Sequence, residues 1–100
     1  MNDEILLKFA HLAVLRHNEY WFSPAGAIEV IREARAKSAP LLGFDGAEIR
    51  GESIELFQSH SWDYSRQNRL IVSDPYEHAI QFILERQTKP VRFTIVLGEP

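Results

Sequence analysis

Four histidines are the first residues to test for chemistry: His11, His17, His60 and His78. No two of them stand at i and i+4 with a glutamate between, the spacing that turns two imidazoles toward one zinc ion. His11 and His17 are six residues apart, which puts them on opposite sides of any helix that carries both. The chain has no cysteine, so a thiolate metal site, a cysteine nucleophile and a disulfide scaffold are excluded together. His60 and Asp63 form the minimum of a carboxylate-oriented general base, with Ser59 or Ser61 as a conceivable nucleophile. A small hydrolase centred on that pair is the weakest reading, because no Gly-x-Ser-x-Gly elbow accompanies it. Gly43, Gly46 and Gly51 match neither phosphate-binding spacing, and a helix opening at Asp74 repels an anion. The expectation is a protein that is not an enzyme and uses no metal and no cofactor.

Charge gives a more informative pattern. Eleven Lys and Arg against fourteen Asp and Glu give a formal −3, which argues against a nucleic-acid binder. Residues 1–40 are balanced and residues 65–100 are +1, so the excess lies in residues 41–64, where five acids face one base. The acids are Asp45, Glu48, Glu52, Glu55 and Asp63, the base is Arg50, and Phe44, Phe57, Trp62 and Tyr64 are interleaved. The plain reading is a solvated hairpin face. The sharper one is an acidic, aromatic-containing surface for a basic protein partner, with Trp62 as an exposed anchor and Tyr64 beside it.

The elements that must position these residues follow from periodicity and capping. With 100 residues, 45% hydrophobic, the chain holds one core, and residues 1–100 read as a single domain. A first helix is expected from Asn2 or Asp3 to about His17 or Asn18. A second opens with Ser23 as cap and Pro24 in the first turn, turns Ala27, Ile28, Val30, Ile31 and Ala34 inward, and stops at Pro40. Extended chain follows from Leu41. Either Asp45-Gly46 is a hairpin tip, or the strand continues to about Ile49 and turns at Gly51; the second gives longer paired strands and is preferred. Residues 58–69 read as a loop, and residues 70–72 as a brief strand. A third helix opens with Asp74 and Pro75 and ends near Arg86, and Arg92 to Leu97 alternates like a central strand. The fold class is α/β in the α+β sense: a small mixed sheet of three to four strands with about three helices, in the order helix-helix-strand-strand-helix-strand. The apolar run from Ile5 to Leu15 is interrupted by Lys8 and His11, so neither a signal peptide nor a membrane span is expected, and the compartment expected is the cytoplasm.

Several segments resemble small bacterial immunity proteins of polymorphic toxin and contact-dependent growth inhibition systems. They are Trp21-Phe22-Ser23-Pro24, the alanine-rich helix with Ile28 and Ile31, Leu41-Leu42-Gly43-Phe44-Asp45-Gly46, Ser61-Trp62-Asp63-Tyr64-Ser65 and Phe93-Thr94-Ile95-Val96-Leu97. The resemblance covers about two thirds of the chain and is one of style and element order, without a diagnostic motif; the first helix lies outside it. It implies a protein without activity of its own that binds the toxin domain of its system and blocks the active site. Toxins of this kind are often basic, so Asp45, Glu48, Glu52, Glu55 and Asp63 would guide the encounter and Trp62, Tyr64 and Phe57 would anchor it. The alternative is a protein- or ligand-binding module with no toxin partner. Neither a nucleic acid nor a membrane is expected as partner.

Overall fold

The structure is a computed structural model that describes residues 3–64 and 72–99. A short helix α1 (Asp3–Lys8) and a single 3-10 turn (Ala10–Leu12) lead into a hairpin of β1 (Ala13–Arg16) and β2 (Glu19–Phe22). Helix α2 (Pro24–Ala36), the strands β3 (Leu41–Arg50) and β4 (Ser53–Asp63), helix α3 (Pro75–Leu84) and strand β5 (Arg92–Leu97) complete the order. The strands form one sheet in the order β1-β2-β5-β3-β4, and every neighbouring pair is antiparallel. The α+β class stands, while the mixed sheet of three to four strands is corrected to an antiparallel one, with five strands among the described residues.

The correction begins in the first helix, which ends at Lys8 rather than at His17 or Asn18. His17 and Asn18 both take positive φ, 52° and 64°, and form the two-residue turn whose twist suits a hairpin. Beyond it stand Tyr20, Trp21 and Phe22, residue types that favour a pleated surface over a helix. Apolar residues at helical spacing from Ile5 to Leu15 therefore serve two elements, a helix and then a strand.

Helix α2 forms as its sequence requires. The Ser23 hydroxyl accepts from the Gly26 amide at 3.1 Å, and Pro24 needs no donor in the first turn. Ala27, Ile28, Val30, Ile31 and Ala34 are all buried. The helix stops before Pro40. Ser38 adopts φ 56°, and the amides of Ser38 and Ala39 bond back to the carbonyls of Arg35 and Ala34. In α3 the Asp74 carboxylate accepts from the Glu77 amide at 3.2 Å, and Ala79, Ile80 and Ile83 face inward. Arg35 of α2 pairs with Asp74, and the Tyr76 hydroxyl donates to the Ala39 carbonyl at 2.6 Å, so the end of α2 is tied to the start of α3.

Both helices contribute to the one core cluster, which they share with Phe22, Leu41, Phe44, Phe93 and Ile95 from the sheet. Strand alternation turns Trp21, Asp45, Ala47 and Thr94 to the other side. That side is not uniformly open. Arg16 of β1 donates to the Gly51 carbonyl, in the turn between β3 and β4, at 2.8 Å. Those elements stand three places apart in the sheet, and the hairpin meets β5 through one register pair, Phe22 opposite Phe93, so the sheet curls. Trp21 (3% exposed), Ala47 (0%) and Thr94 (7%) lie buried outside the helix-side cluster.

Candidate functional site

Register decides where the acids point. Arg50 stands opposite Ser53, so β3 runs through Asp45 and Gly46 and the hairpin turns at Gly51, φ 61°, as the longer-strand reading requires. Glu48 is directly opposite Glu55, and Arg50 lies against both, at 2.8 Å and 3.9 Å. That bond and charge raise the Arg50 pKa above its ordinary value. Glu52 occupies the turn and is exposed. Asp45 is opposite Thr94 and Asp63 is opposite Gly43, which places both acids on the side away from the helices, and both are exposed. Glu48 and Glu55 alternate onto the helix-bearing side. The five acids therefore divide between two sides of the sheet and a turn.

Residues 58–63, expected in a loop, belong to β4. The strand bulges there: the register with β3 shifts between Phe44 opposite Trp62 and Gly46 opposite Phe57. Gly46 makes the bulge possible, because a Cβ at that position would lie 2.4 Å from the Cβ of His60. Ser61 holds it closed, accepting from the Gly46 amide at 3.3 Å and donating to the Phe57 carbonyl at 3.1 Å. Arg86, just beyond α3, clips the bulge to the helix. Its guanidinium donates to His60 Nδ1 at 2.9 Å, to the Ser59 carbonyl at 3.0 Å and to the Phe82 carbonyl at 2.9 Å, and stacks 3.6 Å over the Phe82 ring.

This geometry bears on the hydrolase reading. His60 accepts from an arginine rather than pairing with Asp63, and lies against Gly46 and Arg86 while Asp63 alternates to the other side. Burial, and after it the charges of Arg86 and Lys89, depress the His60 pKa. The Ser61 hydroxyl is committed to backbone. Among the described residues no group of three or more His, Cys, Asp and Glu side chains could hold a metal ion.

The aromatic residues named as anchors sit differently from the expectation. Trp62 is on β4, half-buried, with its ring 4.6 Å from that of His78 and 6.4 Å from that of Phe82. Tyr64 is 2% exposed, and its hydroxyl lies 2.7 Å from His78 Nδ1. Burial pushes the Tyr64 pKa up, so the phenol keeps its proton beside the imidazole, and the two groups share one hydrogen bond. Both residues join β4 to α3 instead of projecting to solvent, and Phe57 is half-buried beside His60. The expected loop at 65–69 and residues 70 and 71 of the expected short strand lie outside the described residues; Val72 is in neither helix nor strand.

Among the described residues the exposed large apolar ones are others: Leu42 (37%), Val96 (46%) and Leu56 (62%) on β3, β5 and β4, with Leu7 and Leu15 elsewhere. Leu42, Val96, Asp45 and Asp63 line one shallow cavity of about 280 Å³ beside Gly43, Phe44 and Trp62. In the sequence Leu42 and Val96 read as ordinary strand positions. The signal that separates them is pairing: Gly43 opposite Val96 and opposite Asp63 brings three strands to one spot. No helix among the described residues is long and apolar enough to cross a membrane. In comparisons with known proteins, no family model and no curated protein matches the chain.

Proposed function

We propose that the chain works by binding, as an immunity protein that docks on a basic toxin domain and blocks access to its active site. The observation that carries this reading is the part of the sheet's helix-free side that stays exposed. Helices α2 and α3 contribute to one core cluster, while Leu42, Leu56 and Val96 stay exposed on β3, β4 and β5 with Asp45 and Asp63 among them. Interfaces are built from an apolar centre with a polar rim, and a rim of one sign favours a partner of the other. The segment resemblance supports the toxin as that partner, and the acidic excess of residues 41–64 supports a basic one.

The test starts from the neighbouring genes: a secreted toxin C-terminal domain is expected among them, and that domain is co-expressed with this chain and purified. Protected growth and elution as one complex at micromolar concentration are expected. Growth arrest together with elution as two separate species overturns the proposal.

A further inference from the structure

We infer that the seam between β4 and α3 is a proton-operated latch that opens at one end: protonation of His60 releases Arg86 and frees the β4 bulge, while the end at His78 stays joined. The latch belongs to the fold and does not depend on what the chain binds.

The bulge needs a holder from outside the sheet. Between the pairs Gly46–Phe57 and Phe44–Trp62, β3 supplies Asp45 alone while β4 supplies residues 58–61, so the regular ladder cannot fix them all. Ser61 closes the bulge from within, through the Gly46 amide and the Phe57 carbonyl. Arg86 holds it from without. Its contacts to the Phe82 carbonyl and ring stay at its own end of α3, and those to His60 Nδ1 at 2.9 Å and to the Ser59 carbonyl at 3.0 Å cross to β4.

Two histidines stand on this seam, and they face different chemistry. His78 on α3 has its Nδ1 2.7 Å from the Tyr64 hydroxyl, a group that both donates and accepts. A neutral or a protonated ring therefore keeps a hydrogen bond there, with the roles exchanged. His60 faces a guanidinium, which only donates. Its Nδ1 is bare, and the neutral ring carries its proton on Nε2. A proton added to Nδ1 sets two donors and two positive charges against each other at 2.9 Å, and the bond is lost. Arg86 then stays with Phe82 on the helix, and the bulge parts from it. The other end holds through the Trp62 ring, 4.6 Å from that of His78 and 6.4 Å from that of Phe82. Ser59, His60 and Ser61 lie outside the core cluster, so their release leaves the core in place.

The surroundings of His60 favour the latched form at neutral pH. Burial, then the charges of Arg86 and of Lys89 beyond α3, hold its pKa below the ordinary imidazole value, and Glu48 on β3 pulls the other way. Glu48 is itself bonded to Arg50 at 2.8 Å, and Glu85, 3.6 Å from Arg86, is exposed. The latch is closed above about pH 6.5 and opens as pH falls through the depressed value.

The test is nuclear magnetic resonance of the full chain, following the His60 ring and the Arg86 Nε–H from about pH 7.5 to about pH 5. As the ring titrates, Arg86 Nε–H exchange, corrected for its intrinsic rate, is expected to rise by up to about tenfold per pH unit. The nuclear Overhauser contact between Arg86 and His60 is expected to disappear with it, and the contact between Trp62 and His78 to persist. In His60→Asn, whose amide accepts from Arg86 and does not titrate, Arg86 protection should stay flat over the same range. The latch is overturned if Arg86 keeps its protection and contact after the ring has titrated, or if the chain unfolds with the ring still neutral. Loss of the Trp62–His78 contact in the same step overturns it too, as does an unchanged acid response in His60→Asn, since another group then drives the release. If His60→Asn does not fold, the parent titration decides alone.

Discussion

At the scale of residues, Arg86 sets the geometry of the β4 bulge. Its guanidinium satisfies His60 Nδ1 and two carbonyls while stacking on Phe82, a set of contacts that follows from the planar fork of arginine. Arg86→Ala is expected to lower unfolding free energy by about 1–3 kcal/mol in urea titrations. Arg86→Lys recovers little of this, since one ammonium cannot replace the fork. His60 adds a pH dependence whose sign follows from its depressed pKa. The folded chain resists protonating a ring that is partly buried and accepts a bond from a cation, whereas the unfolded chain protonates it near the ordinary value of about 6.5. The contribution is therefore fully present above that value and is lost as pH falls toward the depressed one. Thermal midpoints between about pH 7 and pH 5 should fall more steeply for the parent chain than for His60→Asn, whose amide does not titrate. None of this was legible from the sequence. His60 and Asp63 are three residues apart and look like partners in a loop, but residues 60–63 are strand, and alternation turns two strand residues three apart to opposite sides.

At the scale of elements, the turn at His17 and Asn18 decides between a helix and a hairpin. Asn18→Val forces a β-branched residue into positive φ and should cost about 1–2 kcal/mol, while Asn18→Gly is expected to be neutral within error in the same measurement. The two later helices were legible because their starts are written in local chemistry: Ser23-Pro24 and Asp74-Pro75 each supply a cap and a residue that needs no donor. Strand β5 and the turn at Gly51 were legible from alternation and from the length of the paired runs. The first hairpin was not, because Leu12, Ala13 and Leu15 satisfy a helical stripe as well as a strand, and a His-Asn turn is a weaker signal than Asn-Gly. Residues 58–63 were missed for a related reason. A bulged strand breaks the alternation by which strands are recognised, and polar residues such as Ser59 and Ser61 inside it read as loop. The candidate site was half legible: Asp45 and Asp63 were named from charge, whereas Leu42 and Val96 required the register of three strands.

At the scale of the whole molecule, the exposed acids are expected to be dispensable for folding. Asp45→Lys should shift the unfolding free energy by no more than about 0.5 kcal/mol, checked by denaturant midpoint, because the side chain faces solvent. Under the proposed function the acids of residues 41–64 would act in association, and the affinity would then decline with added salt as the field is screened. The arrangement of the sheet also has a meaning in time. Strand β5 lies between the two hairpins and pairs with β2 on one edge and β3 on the other, yet it is the last of the five strands along the chain. During synthesis the two hairpins emerge before the strand that lies between them in the sheet, and the aromatic surface of Phe22 and Phe44 waits for Phe93 and Ile95. The sheet can be complete only once β5, the last of the described strands to be made, lies between the two hairpins made before it.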